Sequence, residues 1–470
     1  MRVWLLAVVL AAAHALSAAA ETVAITNVTI VDVEDGAHRV SQTVIIRDGR
    51  IAKVGAAEAV SAPPGATLVD GGGKYLIPGL WDMHVHSHRE ERWKYHYPLF
   101  LAHGVIGVRD AGSHLGSALA ARDRVKGDSL APRVIWGSPI VDGAPPFNSF
   151  GLSAEDAASA RKIVEVVDRY GFDFLKVYDR LTPEAYFALA AEAKKRGLRV
   201  EGHVPLSLAP ADTIAAGQTL IDHLTLILEA CLPGALDVVH EENAKAPREV
   251  DSLMLMMGDR IADALEGYDA QTCGALFSSL AANGVWQVPT LIEMRGFFSA
   301  DDPAVVSDPR IAWAPPGVVE EWREWGESAG AHDLANGRRV FAAQMRMIRP
   351  MKDAGVGLLA GTDASNEPWV FAGAGVHDEM LLFVEAGLTP LEALQTATLN
   401  PLLYLGRKSD ARLISKGEAG DLILLEADPL DDISNTLKIA AVFAHGLYHD
   451  RAALDALIVE AETEAKNGKL

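Results

Sequence analysis

A chain of 470 residues, 49% hydrophobic and 22% charged, is too long for one small core and too apolar to remain disordered; its length suits a large barrel plus a smaller domain. A formal net charge of −21 argues against nucleic acid and against anionic membrane surfaces as partners, since both select basic patches. It leaves a small-molecule substrate and a homo-oligomer open.

Residues 1–20 read as an export signal. Arg2 supplies the positive start, "VWLLAVVLAAAHAL" a short apolar core, and "SAAA" the small residues before Glu21. The apolar run falls short of the ~20 residues that a spanning helix needs, so no stable membrane insertion is expected after cleavage near Ala20. The expected product is periplasmic or secreted. From 21 to 74 the chain turns to β-rich pieces such as "VAITNVTIVDVEDG" and "TVIIRDGRIAKVG", runs of Val, Ile and Thr closed by Asp-Gly or Gly. Residues 409–470 answer in the same style with "GDLILLEAD" and "IAAVFAHGLYHDR". Two such segments at opposite ends predict a small β-sandwich around an inserted domain, 75–408.

That inserted stretch alternates. Strand candidates are 104–112, 133–138, 172–179, 198–204, 219–224, 285–292 and 356–364, with helical patterns such as "AEDAASARKIVEVVDRYG" between several of them. Adding the strand that holds "HVH" gives eight strands in βα alternation, the pattern of an α/β chain folded as a (β/α)8 TIM barrel. The region 293–335, rich in Trp and Phe (Phe297, Phe298, Trp313, Trp322, Trp325), breaks the rhythm. It reads as an insertion after the seventh strand, either a lid or core packing. The two cysteines, Cys231 and Cys273, can pair in an oxidising compartment or sit as buried thiols, and the sequence leaves both open.

In barrels of this kind chemistry sits at the C-terminal ends of the strands. "HVHSH" places His84, His86 and His88 at every second position, on one face of a strand. Lys176, His203, His223 and Asp363 each follow an apolar run close to a turn. Singly, each has a bland reading: a hydrogen-bonded histidine, a solvated lysine, a turn aspartate. Together they end five strands in barrel order, which points to a metal site. "FDFLKVYD" puts Lys176 and Tyr178 on one face, and an inward lysine needs a partner. Substrate candidates are Tyr178 as a hydrogen-bond donor and Arg109 as a carboxylate binder, each with an equal structural alternative. His88 reads as a loop residue at the mouth of the site and not a ligand. His377 opens a helix, and the loop 141–151 with Phe147 stands where substrate loops belong.

"YLIPGLWDMHVH" resembles the first barrel strand of the amidohydrolase superfamily, and "LAGTDA" its eighth. "GEAGDLILLEADPL" and "VFAHGLYHD" resemble the strands that complete its sandwich. "HDEMLLFVEAGLTPLEALQTATLNP" (377–401) is similar to the imidazolonepropionase-like branch, which includes bacterial Xaa-Pro dipeptidases and related carboxypeptidases. The resemblance covers nearly everything after residue 20. It implies two divalent ions, Zn²⁺ first, with Mn²⁺, Co²⁺ and Fe²⁺ also suited to imidazole and carboxylate. It assigns one ion to His84, His86 and Asp363, the other to His203 and His223, and makes Lys176 a carboxylated (carbamate) bridge. It further implies a metal-bridging hydroxide as nucleophile and Asp363 as the proton-transferring catalytic group. Imidazolonepropionase itself works with one metal and no bridging lysine, so Lys176 and His223 favour the peptidase-like members. The implied activity is metal-dependent hydrolysis of a carbon–nitrogen bond in a dipeptide or N-acyl amino acid. The alternatives are a cyclic amide, lactone or ester on the same metals, and a non-catalytic metal-binding scaffold.

Overall fold

The computed structural model describes residues 22–246, 251–364, 367–409 and 412–468; the expected export signal lies outside them. The eight expected strands form a closed parallel barrel. Seven are Leu80–Val85, Val105–Asp110, Arg133–Trp136, Phe174–Val177, Arg199–Gly202, Gln218–Asp222 and Trp286–Val288. Each pairs in parallel with the next, the third joining the fourth through a Gly137–Phe174 bridge. The eighth, 358–364, closes the ring through parallel bridges from Leu358 to Gln287 and from Ala364 to Val85. Gly361 belongs there because a Cβ at that position would meet Val288 Cγ1 at 2.4 Å and the His84 backbone nitrogen at 2.9 Å. Closure leaves no free edge.

The crossover helices start and stop where their sequences dictate. Thr182 caps Pro183–Arg196, with proline in the first turn, and Gly197 ends it at φ 70°. Asp156 closes a capping box on Ala157–Arg169. Apolar residues fill the space between strands and helices, among them Leu175, Val177, Leu189 and Val200. The barrel interior is different, for Arg109, Lys176, Glu201, Asp222 and Gln287 are buried within it.

The smaller domain is an eight-stranded mixed sheet assembled from both ends of the described chain. Tyr75–Pro78 pairs with Leu422–Leu425 in antiparallel register, Ile77 opposite Ile423, and this joins the five N-terminal strands to the three C-terminal ones. Val23, Ile25, Ile30, Val44, Leu76, Leu422 and Phe443 form its apolar cluster. The last helix, Arg451–Asn467, returns to pack on Trp93–Ala102 of the barrel. Among the described residues no helix is long and apolar enough to cross a membrane.

The aromatic insertion is mostly core. Trp322, on helix Pro316–Ser328, packs against Trp369 and Phe371 at centroid distances of 5.8 and 5.9 Å, in a cluster with Val318 and Val319. Phe297, on helix Leu291–Phe298, instead faces the barrel mouth. Cys231 and Cys273 form a disulfide across 42 residues, tying the turn after the sixth strand to helix Ala270–Ala282. Closing a loop of that size restricts the unfolded chain. Replacing both cysteines by serine is expected to cost about 2–4 kcal/mol, read as a lower denaturation midpoint, and a thiol titration of the unreduced, unfolded protein should find none.

Candidate metal centre

Strand alternation aims Asp82, His84 and His86 inward from the first strand, where all three are buried. Asp82 anchors the neighbouring strand, accepting hydrogen bonds from the Thr362 hydroxyl (2.6 Å) and backbone nitrogen (3.0 Å). At the ends of the sixth, seventh and eighth strands, His223, Thr290 and Asp363 adopt left-handed backbone at φ 58°, 48° and 57°. Each such residue costs roughly 1–2 kcal/mol when it is not glycine, and this clustering is typical of functional positions.

The histidines are fixed as neutral rings with one nitrogen directed inward. His86 Nδ1 donates to the Gly112 carbonyl oxygen at 2.6 Å, His203 Nδ1 to Asp179 Oδ1 at 2.6 Å, and His223 Nδ1 lies 2.7 Å from Thr290 Oγ1 and 2.8 Å from Glu293 Oε2. Such bonds place the proton on Nδ1 and leave Nε2 with its lone pair. Burial pushes all four imidazoles, His84 and His86 furthest, below their ordinary range, so they are uncharged at neutral pH. His84 Nε2, His203 Nε2 and Asp363 Oδ1 are buried and have no hydrogen-bond partner. Orphaned donor atoms of this kind are costly unless a ligand completes them.

Three carboxylates join these rings. Ligand atoms lie within 4.8 Å of one another in three overlapping groups: His84, His86 and Asp363; His84, Asp222 and His223; His223, Glu293 and Asp363. His203 belongs to none of the three, but its ring meets that of His223 at 4.9 Å. Burial, then the neighbouring Glu293 and Glu367, pushes the Asp363 carboxyl well above its usual range. Crowded carboxylates beside neutral imidazole lone pairs fit hard or borderline divalent cations. Lys176 is 1% exposed, and its Nζ donates to Asp222 Oδ2 at 2.5 Å. Burial drives its ammonium below the ordinary lysine value.

His86, Lys176, His203, His223 and Asp363 line one cavity of about 300 Å³. Tyr178, Arg89, Phe147, Asn148, Glu293 and Phe297 also face it. Tyr178 lies over His203 with ring centroids 4.0 Å apart. Three sequence candidates are placed elsewhere. Arg109 is fully buried beneath the donors, bonded to Glu201 Oε2 (2.6 Å), Asp222 Oδ1 (3.2 Å) and the Met83 carbonyl (3.0 Å), so it meets no substrate. His88 spends Nδ1 on Asp110 and Nε2 on Tyr97, both at 2.6 Å, with its ring against Trp136. His377 bonds to Thr436 Oγ1 at 2.9 Å and to the His103 carbonyl at 3.0 Å, away from the cavity.

Asp222, Glu293, Asp179 and Arg89 were not legible as site residues. Asp222 adjoins His223, and strict alternation sends neighbours to opposite faces; the left-handed turn at His223 brings both inward. Glu293 lies in the first turn of the helix that follows Thr290, where no strand pattern applies.

A closed (β/α)8 barrel with buried His/Asp clusters at the mouth defines a metal-binding barrel hydrolase. The chain belongs to the amidohydrolase family, which it matches over residues 75–448. Imidazolonepropionase of Ralstonia nicotianae (strain ATCC BAA-1114 / GMI1000) is 24% identical over 426 residues, 87% of this chain and 90% of the relative. Among solved structures, bottromycin amidohydrolase superposes with a TM-score of 0.72 at 22% identity, covering 94% of this chain and 90% of that one. A Xaa-Pro dipeptidase with bound methionine gives 0.61 at 18% identity, covering 92% and 100%.

Two outcomes follow from the buried charges. Arg109→Met removes one of two cations from each carboxylate, leaving Asp222 with Lys176 and Glu201 with Arg199 at 3.3 Å, and the lost charged hydrogen bonds are expected to destabilise the fold by about 1.5–3 kcal/mol in denaturant titrations. His377 and His103 are held by burial to about 4 and about 3, below the ~6.5 of an unfolded histidine. The unfolded state therefore binds their protons first. Stability is complete above pH 6.5 and falls as pH drops towards 4, and His377→Gln should make that fall shallower between pH 7 and pH 5.

Proposed function

We propose that this protein hydrolyses the amide C–N bond of a dipeptide or N-acyl amino acid. The observation that carries this reading is the convergence of unpartnered, neutral imidazole nitrogens with the Asp363 carboxylate at one wall of a cavity large enough for such a substrate. His84, His86 and Asp363 would hold one divalent ion and His203 and His223 a second, and Lys176, as a carbamate, would supply oxygen ligands; Zn²⁺ suits this donor set. When bound, such ions act as Lewis acids and lower the pKa of bound water.

The chain's own groups do the remaining work. Burial favours the neutral amine of Lys176, which can add to carbon dioxide and lose a proton to form the carbamate. Asp363, with Oδ1 unpartnered, is placed to accept a proton and return it to the leaving nitrogen. The Tyr178 hydroxyl, facing the cavity, is a donor for the substrate carbonyl oxygen. Asp179 and Gly112 keep His203 and His86 in the tautomer that presents Nε2. The disulfide supports a periplasmic or secreted location, since such bonds persist in oxidising compartments.

Metal analysis together with a panel of dipeptides, N-acyl amino acids and lactones tests the reading. Two divalent ions per chain and amide turnover are expected, with fewer than two ions in Lys176→Ala. Asp363→Asn should lose about 10²–10⁴-fold in kcat, the usual contribution of general acid–base catalysis. Lactone turnover without amide cleavage would replace the proposed substrate class, and full activity in Asp363→Asn would remove that residue's role.

A further inference from the structure

We propose that Arg89 is an anion subsite, so that the enzyme selects amides carrying a free carboxylate beside the scissile bond and an apolar group on the other side. The inference rests on the amide-hydrolase reading above and narrows its substrate class.

Arg89 lies three residues beyond His86, in the segment after the first barrel strand, and lines the same cavity as Lys176 and Asp363. It is half-buried, with its guanidinium over the Phe150 ring at 4.2 Å from the centroid. That contact fixes the plane of the group without using its hydrogen-bonding edge. Its Nε is buried with no hydrogen-bond partner, and Arg89 makes no ion pair with any described residue. The other inward guanidinium, Arg109, is saturated by two carboxylates and a carbonyl. A fork of donors held flat at a cavity wall matches the two oxygens of a carboxylate.

The rest of the cavity gives the substrate a direction. Asp251, Glu293 and Glu367 line it too, and Arg89 and Lys176 are the basic side chains on its wall; with Lys176 engaged by Asp222, Arg89 is the group that can attract an entering anion. Leu253, Met256, Met294 and Phe297 come from segments after the sixth and seventh strands, away from the first-strand segment in barrel order. A molecule with its carboxylate on Arg89 and an apolar group on this wall lays its central amide across the donor cluster. A neutral urea, lactone or carbamate offers Arg89 a carbonyl acceptor but no counter-charge.

The test compares N-acetyl-L-leucine with its neutral carboxamide on metal-loaded wild type, Arg89→Met and Arg89→Lys, with thermal melts as a folding control. Binding of both compounds to Asp363→Asn, with and without Arg89→Met, is measured calorimetrically. Wild type should favour the acid by about 10–100-fold in kcat/KM, mostly through KM, as a charge-assisted bond predicts. Arg89→Met should bring the two to near parity, and Arg89→Lys should retain part of the preference. Equal turnover of acid and carboxamide by wild type, or an unchanged preference in Arg89→Met, overturns the assignment and leaves amide hydrolysis standing. If neither compound is hydrolysed, the amide reading falls for this pair, and the calorimetry decides Arg89 alone. Acid-selective binding abolished by Arg89→Met upholds it, and unselective binding overturns it.

Discussion

A guanidinium sealed inside the barrel is what the remainder of the site depends on. Arg109 reaches from the second strand to Glu201 on the fifth, Asp222 on the sixth and the Met83 carbonyl on the first. Burial alone would raise the Asp222 carboxyl, but Arg109, with His84 and Lys176, holds it well below the usual range. Asp222 therefore stays charged and can face both Lys176 Nζ and His84 Nδ1, the latter at 3.2 Å. At such separations and without solvent, a lone charge is very costly, so Arg109, Glu201, Asp222 and Lys176 persist only as a set, with the neutral His84 ring beside them. The floor of the donor cluster is thus an ion network and not a layer of aliphatic side chains.

A second tier holds the rim. Glu379 accepts backbone hydrogen bonds from Leu291 and Ile292 at 3.0 and 2.8 Å, and burial pushes its carboxyl up to about 8. It anchors the start of the helix whose first turn carries Glu293 and whose later turns present Met294 and Phe297 to the cavity. Asp179 does similar work on the other side. Its Oδ1 fixes His203, and its Oδ2 accepts the Ser252 backbone hydrogen at 3.1 Å, tying an inward imidazole to helix Ser252–Met257. Groups that orient the donors therefore also position the walls that meet substrate.

How much of this was legible follows from period. His84, His86 and Lys176 could be read because they sit in regular strands, where alternation fixes the face, and the barrel itself could be read from the recurrence of such strands. Arg109 obeys the same rule and points inward, but alternation says nothing of depth, and Glu201 lies 92 residues further along the chain. His88 and His377 were ambiguous for a related reason: Asp110, Tyr97 and Thr436, which occupy their nitrogens, are neighbours only in space. Asp222 is the last residue of its strand, and Glu293 and Arg89 lie beyond the ends of theirs; there the backbone, not the pattern, chooses the direction.

The mixed sheet has a consequence for the order of events during synthesis. Residues 22–78 emerge before the barrel, yet their sheet gains its last three strands only when residues 422–450 arrive. Until then Tyr75–Pro78 presents an open edge, a template for pairing with other chains. Only a finished barrel brings Leu422–Leu425 beside it, and a closure spanning so much chain is intrinsically slow. The sheet therefore acts as a latch that shuts last. A chain truncated or misfolded within the barrel leaves that edge exposed, which marks it for capture by chaperones, proteases or its own kind.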